Sequence, residues 1–268
     1  MTAVTEHATT VRVPASSTQR GLWREVLVVL WLYFVYDMIN NLSNVRPERA
    51  IARAEHVLHL EQRRHLDPEL WFNEWVVRHH AIATVLGNFY NLAHIWVTLA
   101  LIVFLWFRRR DKYADLRNAL VLFNVIGFVV FWTYPVAPPR MLDGFVDVVE
   151  TTSTLGSFHS GALANAANQL AAMPSLHIAW ALWVAVAILR TLPGIKWRVV
   201  AAVHLIATVI ATVGTANHFV LDLIAGGLTA VVGFALAALW AERGRPAFAA
   251  WRASRRAAAE PSGDLVGA

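Results

Sequence analysis

Residues 199–240 read VVAAVHLIATVIATVGTANHFVLDLIAGGLTAVVGFALAALW. Two apolar stretches, Val199 to Asn217 and Phe219 to Trp240, meet in a short polar cluster, Thr215-Ala216-Asn217-His218-Phe219-Val220-Leu221-Asp222. Each stretch is close to 20 residues, and at 1.5 Å per residue that length crosses about 30 Å of hydrocarbon as a helix. The segment therefore predicts a membrane hairpin whose turn carries a histidine and an aspartate. Four more stretches share this character: Trp23 to Ser43, Ala81 to Phe107, Asn118 to Val136 and Pro174 to Leu192. The expected fold is all-α, a six-transmembrane-helix bundle.

The composition agrees. Of 268 residues, 57% are hydrophobic and only 15% charged, and there is no cysteine. Such a chain is neither a disordered polypeptide, nor a disulfide-stapled module, nor a cysteine-ligated zinc domain. The net charge of +5 raises the question of nucleic acid, and the placement of the basic residues answers it. With both termini cytoplasmic, the inner side collects Arg12, Arg20, Arg24, Arg108, Arg109, Arg110, Lys112, Arg117, Arg190, Lys196, Arg198 and five C-terminal arginines. That is the positive-inside bias, which sets orientation without a nucleic-acid partner. On the outer side, Arg46, Arg49, Arg53, Arg63, Arg64 and Arg78 are matched by Glu48, Glu55, Glu61, Asp67, Glu69 and Glu74.

The expected organisation is a disordered cytoplasmic tail over 1–20, a catalytic membrane domain over 21–242 and a basic cytoplasmic tail over 243–268. The first 20 residues lack an apolar core with a cleavage site, so no removable signal peptide is expected. Two extracytoplasmic insertions interrupt the spans. In 44–80, Ile51, Ala54, Val57 and Leu58 recur at helical spacing among charges, predicting an amphipathic helix at the outer interface. Asp67-Pro68 reads as an N-cap followed by proline at the first helical position, opening a helix that presents Trp71 and Trp75 to the headgroup region. Within the second insertion, the outer loop 137–173, the stretch from Asp143 to Asn168 is rich in Gly, Ser, Thr and Ala and is expected to be the most mobile part.

Three polar clusters fall at the outer ends of spans. Thr133-Tyr134-Pro135-Val136-Ala137-Pro138-Pro139-Arg140 ends span three, where the prolines stop the helix and hold one arginine at the surface. Met173-Pro174-Ser175-Leu176-His177 opens span four, with Pro174 expected in the first turn, where free backbone N–H groups and the helix dipole favour an anion. In the third cluster His218 and Asp222, four apart, share a helix face. Asp222 can hold one ring nitrogen of His218 protonated and leave the other as nucleophile or base. A charge at the bilayer edge is expensive, which argues against an idle Asp222. Spans four and five form a hairpin that returns His218 to the membrane face of His177, and Arg140 ends span three on that same face. An arginine, two histidines and an aspartate gathered there suit phosphoryl transfer.

Pro174-Ser175-Leu176-His177 and His218-x-x-x-Asp222 resemble the second and third signatures of the type 2 phosphatidic acid phosphatase superfamily, P-S-G-H and S-R-x5-H-x3-D. The Pro-Val-Ala-Pro-Pro run at 135–139 and the Asn217-His218-Phe219 context resemble the branch holding inositol phosphorylceramide synthases and their bacterial relatives. The resemblance implies a metal-independent, cofactor-free lipid phosphatase or phosphotransferase in the plasma (inner) membrane with an extracytoplasmic site. It implies that His218 attacks phosphorus, Asp222 orients it and His177 protonates the leaving oxygen. The substrate would be a lipid phosphate, with a polyol or lipid alcohol as acceptor and no nucleic acid.

The chain departs from the signatures at two cations. The Ser-Arg pair would fall at Ala211-Thr212, and the lysine of the first signature at Thr133. Arg46 or Arg49, at the outer end of span one, is expected to join Arg140 on the phosphate, with Asp37 bracing one of them. Tyr134, Ser175 and Asn217 are further candidate donors to phosphate or head group. His94 and His204 are expected inside their spans and away from the motif face, as helix-to-helix hydrogen bonders. His56, His59 and His65 read as a solvated face. Two other functions use the same residues: a metal-dependent hydrolase with His177, His218 and Asp222 as ligands, and a small transporter with a His/Asp proton relay.

Overall fold

The computed structural model describes residues 47–152 and 169–257, together with 21, 23, 25–28, 30, 31, 34 and 35. Most of the first expected span, with Asp37 and Arg46, lies outside the described residues, as do the two tails over 1–20 and 258–268 and the loop segment 153–168. Among the described residues the protein is helical, and its one β feature is an isolated parallel bridge between Val136 and Ala171.

Two shorter helices come first, α1 (Pro47–Arg64) and α2 (Glu69–Arg78), followed by the long α3 (His80–Arg108) and α4 (Arg110–Thr133). A 3-10 turn at Pro139–Met141 and the short α5 (Val148–Thr151) lie in the loop that follows. The bundle is completed by α6 (Leu176–Thr191), α7 (Ile195–Gly214) and α8 (Val220–Leu239), and α8 runs on through a π-turn into α9 (Arg245–Ala257). Among the described residues, four helices are long and apolar enough to cross a membrane: α3, α4, α7 and the continuous α8 segment. The fifth apolar helix, α6, has 16 residues, about 24 Å at 1.5 Å per residue. It is shorter than the expected span because Ser175 is its N-cap and Pro174 stands ahead of it.

Large apolar side chains remain exposed along the bundle, among them Val85, Trp96 and Val103 on α3, Val203, Ile206 and Ile210 on α7, and Leu228, Val231 and Leu236 on α8. Lipid rather than water suits a belt of that extent. Between the helices lies a conventional core around Leu105, Leu116, Phe123, Trp183 and Val184. Trp183 keeps its indole N–H satisfied there by donating to the Leu116 carbonyl at 2.8 Å.

Hydrogen bonds identify the two ends of the bundle. At one end, the α3–α4 and α6–α7 turns meet where Arg109 donates to the Thr191 carbonyl at 2.8 Å. Arg245 pairs with Asp115 at this end, and Arg117 and Tyr113 both reach Glu25. The α6–α7 turn is made possible by Gly194 at φ +102°, a left-handed conformation that costs glycine nothing. At the other end, Ser175 N–H donates to the Asp222 carbonyl at 2.9 Å and Arg140 N–H to the Ala216 carbonyl at 2.8 Å. All three polar clusters therefore sit at one end.

Helices α1 and α2 follow the predicted pattern with two corrections. Helix α1 is amphipathic as expected, with Ala50, Ala54 and Val57 buried against Val136, Ala137 and Phe219. Asp67, however, does not cap α2. Pro68 is the N-cap, in αR conformation and with no side-chain cap, because its carbonyl already accepts from Phe72 N–H at 2.9 Å. The second correction concerns Glu61 and Glu69, which do more than balance surface arginines: both are 0% exposed.

Candidate active site

His218 follows the C-terminal turn of α7. The chain reverses there because Thr215 N–H and Ala216 N–H bond back into the last turn, while Asn217 N–H and His218 N–H both donate to the Thr212 carbonyl. Ala216 adopts φ +55° to make the reversal. Thr212, which stands where the signature has arginine, thus holds the His218 backbone through its carbonyl oxygen.

The imidazole of His218 is 4% exposed and tethered on one side. Its Nδ1 lies 2.9 Å from the Ala172 carbonyl oxygen and 3.5 Å from Asp222 Oδ2. A carbonyl oxygen can only accept, so Nδ1 carries the proton and Nε2 presents a lone pair. The sequence pointed to Asp222 as the orienting group. The structure adds Ala172 as the nearer acceptor, with Asp222 behind it. Asp222 Oδ2 also accepts from Phe219 N–H at 2.9 Å, which closes the first turn of α8 on itself and locks the carboxylate's rotamer.

Nε2 of His218 faces Nδ1 of His177 at 3.3 Å. His177 lies in the first turn of α6, stacked on Tyr90 at 4.2 Å between ring centroids and edge-on to His94 at 4.3 Å. Sequence reasoning placed His94 away from the motif face, and the structure corrects this. Tyr90 and His94 sit one turn apart on α3, and His94 Nδ1 bonds the Tyr90 carbonyl of its own helix at 2.9 Å, which turns the ring toward α6. His204 stays outside the site, packing on Phe89 at 6.0 Å. A small cavity of about 10 Å³ adjoins the imidazoles of His94 and His177, lined also by Phe89, Tyr90, Thr208, Ala211 and Thr212.

Arg140 is brought to the loop that carries His218. Its Nη1 donates to Asn217 Oδ1 at 2.7 Å, Nη2 to Gln169 Oε1 at 2.6 Å, and Nε pairs with Asp147 Oδ2 at 3.0 Å. Three partners fix the plane of the guanidinium. Asn217 is committed to this task, since its Nδ2 is taken by Thr215 Oγ1 at 2.9 Å. Ser175 is fully buried as the cap of α6, its Oγ accepting from Ile178 N–H. Tyr134 is exposed on the rim, its ring under the Arg53 guanidinium at 4.0 Å. Arg53 in turn donates to the Pro135 carbonyl at 3.0 Å, anchoring the proline-rich turn to α1. Arg49 is exposed in the first turn of α1.

Several residues that hold the site escaped sequence reasoning. Gln169, 29 residues from Arg140, and Asp147, seven residues from it, carry no motif. Buried Asn73 of α2 donates to the carbonyls of Val146 and Gly214 and accepts from Val146 N–H, tying the Asp147 loop to the end of α7. Glu69 Oε1 accepts from Val220 N–H at 2.8 Å and Glu61 Oε1 from Leu221 N–H at 2.6 Å. Burial is the main cause that raises both carboxyl pKa values, Glu61 to about 9. The signal for Glu61 was its place on the buried stripe Ala50, Ala54, Val57, Glu61, a helical spacing on which a carboxylate is out of character.

A helical membrane bundle with two apposed imidazoles, one backed by a carboxylate and flanked by a fixed guanidinium, defines the class. The chain belongs to the PAP2 superfamily, whose family model matches residues 55–236. It is similar to the phosphoinositol dihydroceramide synthase of Bacteroides thetaiotaomicron, 29% identical over 178 residues that take in 60% of this chain and 57% of that protein. The match thus spans little more than half the length of this curated relative. No solved structure matches the chain significantly.

Proposed function

We propose that the protein is a lipid phosphatase or phosphotransferase that works through a phosphohistidine on His218, at the extracytoplasmic end of a six-span bundle in the plasma membrane. The observation that carries this reading is the pair of imidazoles: Nε2 of His218, with Nδ1 tied to Ala172 and Asp222, directed at Nδ1 of His177. In the first half-reaction the Nε2 lone pair attacks phosphorus and the bond to the ester oxygen breaks. His177 supplies that oxygen with its proton. In the second, His177 takes a proton from water or an alcohol, whose oxygen displaces the histidine from phosphorus. Arg140 offsets the charge that builds on the phosphoryl oxygens. At 3.3 Å the two ring nitrogens leave no room for phosphorus between them, so the substrate must part the rings as it enters.

A phosphomonoester with water as acceptor gives hydrolysis. A head-group phosphodiester with a lipid alcohol gives transfer, and the name of the Bacteroides relative points to phosphoinositol and dihydroceramide as one such pair. Arg46 and Arg49 remain the candidates for the missing cations, with Asp37 as brace. A metal triad is less well supported, because Asp222 and His177 lie at opposite nitrogens of His218 and the three donors do not converge on one point. The positive-inside arrangement supports cytoplasmic termini and an outward-facing site.

The test is to incubate purified protein with a panel of labelled lipid phosphates, with and without inositol, and to score free phosphate against new lipid. His218→Ala should abolish both products while the unfolding temperature stays near wild type. A reaction quenched in alkaline detergent should trap label on wild-type protein in an alkali-stable, acid-labile form. Undiminished turnover by His218→Ala refutes the mechanism.

A further inference from the structure

The N-terminus of α8 carries Asp222 and directly follows His218, so whatever fixes that terminus fixes the reacting base. Its first free N–H groups are taken by three carboxyl groups: Phe219 by Asp222, Val220 by Glu69 and Leu221 by Glu61. Acids suit the positive end of a helix dipole, yet one carboxylate is the usual complement. Here Glu61 comes from the last turn of α1 and Glu69 from the first turn of α2, and both are fully buried. Among the described residues their second oxygens, Glu61 Oε2 and Glu69 Oε2, find no donor. The two carboxyl groups hold consecutive N–H groups of one helix turn, those of Val220 and Leu221, which sets them side by side. Two acceptors facing one another bind only through a proton held between them.

We infer that Glu61 and Glu69 share one proton and act as a clamp that joins α1 and α2 to the first turn of α8, positioning the His218–Asp222 pair for reaction. They are positioning residues and touch no substrate. The inference rests on reading His218 as the reacting base. Two negative carboxylates side by side would repel, and Asp222 from α8 and Asp67 from the α1–α2 turn add to that repulsion. Retention of the proton removes it. The raised pKa of both groups, caused first by burial, agrees with a proton kept at neutral pH.

Three readouts test the clamp, two of them independent of any substrate. Glu61→Gln is the informative variant, because its amide keeps an oxygen for Leu221 N–H and offers a permanent N–H to Glu69. Infrared spectra of the wild type at pH 7 should show a carboxylic-acid carbonyl band that Glu61→Gln removes. Thermal unfolding in detergent should be pH-dependent with a defined sign. The folded protein holds the proton up to about pH 9 and the unfolded chain releases it near 4.5. The folded state thus binds more protons between those values, and stability falls as pH rises across them. Glu61→Gln should flatten that slope.

In turnover, Glu61→Gln should keep kcat at pH 7, whereas Glu61→Leu should lower it at least about tenfold with KM unchanged. A persistent infrared band in Glu61→Gln, parallel pH curves, or full kcat in Glu61→Leu would overturn the clamp. So would a Ca²⁺- or Mg²⁺-induced rise in the wild-type unfolding temperature that Glu61→Gln lacks, since a cation would then occupy the proton's place. If no lipid phosphate is turned over, the reading of His218 fails while the infrared and unfolding results still judge the clamp.

Discussion

The closest backbone approach in the site is the place to perturb it. Gly226 lies one turn below Asp222 on α8, and a Cβ added there would stand 2.2 Å from the Ser175 carbonyl oxygen. Carbon and oxygen in contact need about 3.3 Å, so Gly226→Ala must push the two backbones about 1 Å apart. Ser175 caps α6, bonds the Asp222 carbonyl and stands two residues before His177. The displacement therefore widens the 3.3 Å gap between His177 and His218 and weakens the link beside it. A misplacement of about 1 Å in a catalytic constellation can cost about 100-fold in rate, while overpacking of this kind costs about 1–3 kcal/mol in stability. The assay is initial-rate turnover of the preferred lipid phosphate, with thermal unfolding measured in parallel. The neighbouring substitution Gly227→Ala is the control, because its Cβ meets only Leu182 Cδ1 at 3.7 Å, and its rate should stay within about twofold of wild type. Near-normal kcat in Gly226→Ala, or an equal loss in Gly227→Ala, would refute the dependence of activity on this approach.

Three further outcomes are expected. Asp147→Asn removes the charged partner of nearly buried Arg140 while keeping an oxygen to cap α5, and should lower stability by up to about 3–5 kcal/mol, read as a drop in unfolding temperature. His94→Leu deletes an aromatic edge contact on His177 worth about 0.5–1.5 kcal/mol; kcat should fall by no more than about tenfold with KM held, as steady-state kinetics would show. Asn73→Leu strands the Val146 N–H in the interior at about 1–3 kcal/mol, and faster proteolysis of the loop around residues 143–152 should report its release from α7.

The two histidines, the aspartate and the arginine were legible because ionisable residues at the ends of apolar spans stand out in any reading of the chain. Even their common face followed from counting the helices between them. His94 was misplaced for the opposite reason. It lies within a span where periodicity marks a face but names no neighbour, and only the packing of α3 against α6 shows that the face is that of His177. Gln169, Asp147 and Asn73 have no local signature at all. Gln169 and Asn73 are defined by what they touch 29 to 141 residues away in the chain, and Asp147 by a guanidinium that the intervening turn folds back onto it.

What the sequence determined by itself is the solvent and the chemistry. A run of some 20 apolar residues cannot remain in water, and an imidazole with a carboxylate one turn away on the same helix is tuned wherever that helix lies. What only the tertiary structure decided is the hierarchy among polar groups: that Asn217 holds Arg140, that Ala172 lies nearer than Asp222 to the ring nitrogen of His218, and that two glutamates counted among surface charges close the N-terminal end of α8. Periodicity records which side of a helix is buried. The identity of the partner depends on the packing of distant segments, which no local pattern encodes.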